Sequence, residues 1–191
     1  MCLAIVLHRA HPDWPLVVAA NRDELLARPS VTMTVLQEAG PRIHGGKDLL
    51  AGGTWLATNE HGVVAALTNR PALAGPAQAG AKRSRGALPL ALAQHATAAE
   101  AVRAFVAEHR PRDYNPAWLL CGDRDALFYL DMSGDGDAAP VTALGPGLHV
   151  LENAPYGAPS PKVDHVAAAM AGATSQRGEA LVAFLAGVLG D

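Results

Sequence analysis

The chain has 191 residues, half of them hydrophobic and 17% charged. That composition excludes an intrinsically disordered protein and is enough for one well-filled core. A net charge of −3 excludes the strongly basic face of a nucleic-acid binder, and no apolar run approaches the ~18 residues of a membrane span.

The first run, Leu3–His8, is short, apolar and rich in β-branched residues, which predicts a strand. It is too short for a signal sequence and has no basic lead. Arg9–Trp14 reads as a turn, and Pro15–Ala20 as a second strand closing an antiparallel hairpin. With His8 opposite Pro15, the hairpin sets Cys2 beside Asn21. Asp23–Ala27 predicts a helical turn ended by Arg28-Pro29, and Val31–Leu36 another strand. Gly45-Gly46 and Gly52-Gly53 bracket what reads as an irregular loop. Thr54–Thr58 and Val63–Asn69 flank the turn Asn59-Glu60-His61-Gly62 and form a second hairpin.

From Arg70 to Arg85 the composition is that of a loop, and the basic run Lys82-Arg83-Ser84-Arg85 reads as an exposed part of it. Gly86–His95 and Ala98–His109 predict helices, the second with Thr97 and Glu100 as a capping box. Trp118–Cys121, Ala126–Asp131 and Leu148–Glu152 read as strands, and Ser160–Ala171 and Glu179–Leu189 as helices. Strands, a helix pair, strands and a second helix pair predict an α+β fold. Two antiparallel sheets with helices on both outer faces satisfy that order.

Two cysteines, Cys2 and Cys121, are too few for a disulfide framework. A reduced, cytoplasmic protein is the expectation. On position alone Cys2 is an ordinary packing residue. If Met1 is removed, however, it carries a thiol and a free α-amine on one residue, which together serve as nucleophile and base. Asn21-Arg22-Asp23-Glu24 fits a capped helix start, except that an Arg in a first turn opposes the helix dipole. Arg22 therefore calls for a partner, either Asp23 or the Cys2 region. Asn69 and Asn153 each end an apolar strand. Each alone reads as a turn residue, and together they offer amide donors for an oxyanion. His8 and His11 are too loosely placed for a metal pair.

The segments MCLAIV, AANRDE, RPS, GGKDLLAGGTWLATNEHGVVAALTNRP, SRG, YN, LENAP and PKV run from Met1 to about Val163. In combination they resemble the NRDE family, which includes the eukaryotic transport and Golgi organisation protein two. That family is similar in turn to N-terminal-nucleophile (Ntn) hydrolases of the penicillin V acylase and bile-salt hydrolase type. The resemblance implies a single domain over residues 1–191 with a four-layer αββα sandwich of antiparallel sheets. It implies catalytic roles for Cys2, Arg22, Asp23, Asn69 and Asn153, and places Asn21, Glu24, Trp55 and Lys162 at the substrate.

Lys162 stands where the acylase relatives carry an Arg, and a Lys lacks the bidentate fork. The chain also ends at Asp191, before the closing strands of those relatives, so an open sheet edge is expected. The implied function is an amidohydrolase or acyltransferase acting on a small amide or acyl substrate, with no cofactor or metal required. The alternative is a carrier of haem or lipid on the same scaffold, with haem as cargo and the Ntn site vestigial. Neither reading calls for nucleic acid or membrane insertion.

Overall fold

The computed structural model describes residues 2–25, 27–71 and 82–190. In chain order its strands are β1 (Leu3–His8), β2 (Leu16–Asn21), β3 (Ser30–Gln37), β4 (Ile43–Asp48), β5 (Leu56–Asn59), β6 (Val64–Asn69), β7 (Ala117–Gly122), β8 (Leu127–Asp131), β9 (Val141–Leu144) and β10 (Gly147–Leu151). The α-helices are α1 (Leu88–Leu92), α2 (Ala98–Glu108), α3 (Pro161–Ala169) and α4 (Gly178–Gly190).

Side-chain alternation explains the layering. β1 is buried along its whole length because both its faces are covered. Leu3, Ile5 and Leu7 pack against Val166 and Met170 of α3 and its end, and against Leu181 and Leu185 of α4. Ala4 and Val6 face the other way, onto Ala66 of β6, Trp118 and Leu120 of β7, and Tyr129 of β8. On β6, Ala65 and Leu67 in turn meet Leu88, Leu92, Val102 and Phe105 of α1 and α2. The order of layers is therefore α1/α2, a seven-stranded sheet β3-β4-β5-β6-β7-β8-β9, a three-stranded sheet β10-β1-β2, and α3/α4. Every strand pair is antiparallel.

Helices α2 and α3 start where their caps say they should. Thr97 Oγ1 accepts from the Glu100 N–H, and Ser160 Oγ accepts from the Val163 N–H. In α2 the buried residues Ala98, Ala101, Val102 and Phe105 follow the helical repeat onto one face.

The first hairpin has Leu3 opposite Asn21 and His8 opposite Leu16. Pro15 does not face His8. Its carbonyl accepts from the Arg9 N–H at 2.7 Å and closes the turn. Of the helical turn expected over Asp23–Ala27, the described residues show no helix and one hydrogen-bonded turn at the end, where the Arg28 N–H donates to the Leu25 carbonyl at 2.9 Å. The segment expected to be an irregular loop overlaps the second half of β4, which pairs with both β3 and β5. Glycine carries no strand signal, yet a Cβ on Gly45 would collide with the Leu56 carbonyl and one on Gly46 with the Trp55 ring, so only glycine lets these strands approach. β9 carries little strand signal, being four residues between Pro140 and Gly145 of which three are exposed. Of the expected loop from Arg70 to Arg85, residues 72–81 lie outside the described residues.

Candidate active site

The hairpin register brings the start of β1 next to the end of β2, and β6 ends nearby. Cys2, Arg22, Glu24, Trp55 and Asn69 consequently line one cavity of about 80 Å³. Arg28, Asp48, Thr54, Ser84, Arg85 and paired glycines, Gly53 and Gly86, complete most of its wall. The two glycines form a backbone-to-backbone contact. The Thr54 N–H donates to the Gly86 carbonyl at 2.9 Å, and a Cβ on Gly53 would lie 2.5 Å from the Gly86 carbonyl carbon.

Cys2 is buried, with 7% of its surface exposed. Burial pushes its thiol up from the ordinary value, against the opposing pull of Arg22 and Arg85. Cys121 is fully buried in β7 and its thiol is driven far higher by desolvation. The two cysteines therefore differ in access as well as in acidity.

Arg22, just after β2, finds partners in the seven-stranded sheet and on its own loop. Its Nη2 donates to Asp48 Oδ2 at 3.1 Å and lies 3.7 Å from Glu24 Oε2. Its guanidinium carbon stands 4.8 Å from the centre of the Trp55 ring. Arg28 Nε donates to the same Asp48 oxygen at 2.7 Å. The other oxygen, Oδ1, accepts from the Leu50 and Ala51 N–H groups, each at 2.9 Å. Burial alone would raise the Asp48 carboxyl, but the Ala51 and Leu50 N–H groups and Arg28 together hold it below its ordinary value.

The remaining expected site residues stand apart from the cavity wall. Asn153 Nδ2 donates to the Asn69 main-chain carbonyl at 2.6 Å, so it touches the wall through Asn69. Asp23 is exposed on the loop after β2. Asn21 turns away, its Nδ2 donating to the Leu189 carbonyl of α4 at 3.3 Å. Lys162 sits in the first turn of α3, in the outer helix layer.

Asp48, Arg28 and Arg85 were not expected at the site. Arg28 read as a helix terminator, Asp48 as part of a glycine loop, and Arg85 as one of three basic residues in an exposed loop. Arg85 is instead half-buried, with Nη1 donating to the Pro116 carbonyl at 3.3 Å. The short motif Ser84-Arg85-Gly86 was the available signal, since its glycine is needed for the contact with Gly53. Among the described residues, no group of three or more His, Cys, Asp or Glu is placed to hold a metal ion. No helix among them is long and apolar enough to cross a membrane.

Comparison with known proteins supports this architecture. The family model described as Transport and Golgi organisation 2 matches residues 1–191. No curated protein sequence matches the chain significantly. Among solved structures, the Caenorhabditis elegans N-acylethanolamine-hydrolyzing acid amidase ortholog is similar with a TM-score of 0.68 at 15% identity, over 100% of this chain and 86% of that one. Penicillin V acylase from Agrobacterium tumefaciens gives 0.51 at 12% identity, over 99% and 71%. A mutant of conjugated bile acid hydrolase from Clostridium perfringens gives 0.53 at 13%, over 88% of this chain and 56% of that one. At these identities the likeness establishes the fold, which is of the Ntn-hydrolase type.

Proposed function

Given that the chain belongs to the Transport and Golgi organisation 2 family, we propose that its cavity is the site of an N-terminal-cysteine amidohydrolase or acyltransferase. The observation that carries this reading is the convergence of Cys2, Arg22 and Asn69 on one cavity from three different strand ends. The solved neighbours named for amide-hydrolysing enzymes share the fold.

In this reading, removal of Met1 leaves Cys2 with a free α-amine. The amine takes the thiol proton as Sγ attacks the amide carbonyl carbon, a C–S bond forms, and the carbonyl oxygen becomes an oxyanion. In this reading the Asn69 side chain, on the cavity wall, donates to that oxyanion, and Asn153 steadies the strand end through the Asn69 carbonyl. The amine then returns its proton to the leaving nitrogen as the C–N bond breaks. Water, or another acyl acceptor, releases the thioester. Arg22, fixed by Asp48 and Trp55, lowers the thiol pKa against the cost of burial. An oxyanion donor of this kind contributes about a hundredfold or more in rate.

The test is intact mass followed by labelling with an acylating amide-mimetic probe. The expected result is a chain beginning at Cys2, labelled in wild type and unlabelled in Cys2→Ser. A native chain that retains Met1, or labelling unaffected by Cys2→Ser, would refute the proposal. Buried Cys121 should stay unlabelled until the protein unfolds.

A further inference from the structure

The cavity wall has an unequal charge count. Arg22 and Arg28 are both within 3.7 Å of Glu24 Oε2 and both donate to Asp48. Two guanidinium groups are thus matched by two carboxylates. Arg85 is the third guanidinium on the same wall. Among the described residues no carboxylate lies within 4.0 Å of it, and its hydrogen bond there goes to a neutral acceptor, the Pro116 carbonyl. Among the described residues its other N–H donors meet no protein acceptor, which leaves them available to an anion in the cavity it lines.

The groups around Arg85 narrow the choice of anion. Cys2 and Glu24 act on it favourably, and Arg28 unfavourably. Glu24 is already engaged with Arg22 and Arg28. Cys2 is a weak counter-charge, because burial pushes its thiol up from the ordinary value. Ser84, next along the wall, accepts from the Gly86 N–H and so keeps its own hydroxyl proton to give. The Gly53–Gly86 contact holds this segment against the wall by backbone, so the guanidinium is presented from a fixed base.

We propose that Arg85, with the Ser84 hydroxyl, is the specificity-determining subsite for a carboxylate carried by the ligand of the Cys2 cavity. Resting on the function proposed above, the substrate class becomes amides that bear a carboxylate close to the bond presented to Cys2, such as N-acyl amino acids. A planar carboxylate matches the guanidinium fork with two parallel hydrogen bonds.

The experiment measures equilibrium binding in the Cys2→Ser chain, where no covalent step competes. Isothermal titration compares N-hexanoylglycine with its neutral counterpart N-hexanoylglycinamide. The carboxylate ligand should bind at least about tenfold more tightly, as expected for a charge-assisted pair. Arg85→Gln should abolish that preference, and Arg85→Lys should retain part of it. Circular dichroism and thermal melts verify that the variants fold. If Arg85→Gln does not fold, the comparison of the two ligands in Cys2→Ser decides alone. Equal affinity for the two ligands, no binding of either at millimolar concentration, or a preference that survives Arg85→Gln would each overturn the inference. Carboxylate preference without Cys2 acylation in the labelling test would keep the subsite and remove the hydrolase. Acylation without preference would do the reverse.

Discussion

Asp48 is the residue whose removal should reveal most about the site. Its Oδ2 accepts two charge-assisted hydrogen bonds, from Arg22 at 3.1 Å and Arg28 at 2.7 Å. Its Oδ1 accepts two main-chain N–H groups at 2.9 Å. Asp48→Asn keeps an oxygen for the main-chain donors but turns an amide N–H₂ toward two guanidinium groups. Each lost charge-assisted bond counts for roughly 1.5–3 kcal/mol when well shielded. The side chains of Arg22 and Arg28 retain 14% and 29% exposure, so solvent reduces these values. The expected destabilisation is about 2–4 kcal/mol. For a chain of this length that lowers the melting temperature by roughly 4–16 °C.

The pH dependence follows from the same carboxyl. Its folded pKa lies below its unfolded one. Its contribution is therefore full above the unfolded value of about 4 and is lost as pH falls through the lower, folded value. The assay is urea unfolding at neutral pH and at a series of acid values, for wild type and Asp48→Asn. The two should differ most at neutral pH and converge in acid. A melting point within about 2 °C of wild type, or a difference that does not shrink in acid, would refute the role assigned to Asp48.

Gly53→Ala tests the facing-glycine wall. The new Cβ meets Gly86 backbone at 2.5–2.6 Å, which no side-chain movement relieves. A loss of about 1–3 kcal/mol is expected in denaturant unfolding, together with slower Cys2 labelling. His8 is 2% exposed, neither ring nitrogen has a hydrogen-bond partner among the described residues, and burial lowers its pKa. Its folded form resists protonation, so stability should fall as pH drops below the unfolded value of about 6.5. His8→Leu should flatten that part of the pH–stability curve, and an unchanged slope would count against the assignment.

Local pattern was enough for the frame of the molecule. The apolar run of β1, the hairpin to β2, the hairpin from β5 to β6, and the starts of α2 and α3 at Thr97 and Ser160 all rest on neighbours a few residues apart. The hairpin register then sufficed to bring Cys2 toward Arg22, and strand ends sufficed to mark Asn69.

Tertiary structure alone decided the rest of the wall. Asp48 serves Arg22 and Arg28 from 26 and 20 residues away, at the end of a glycine-bearing strand with no periodic signal. Arg85 joins through a backbone contact between Gly53 and Gly86. Asn21, adjacent to Arg22 in sequence, was turned toward α4 instead. The physical reason is the same in each case. Periodicity and capping encode which face a residue takes within its own element, whereas ion pairs and glycine contacts form only after separate elements have packed.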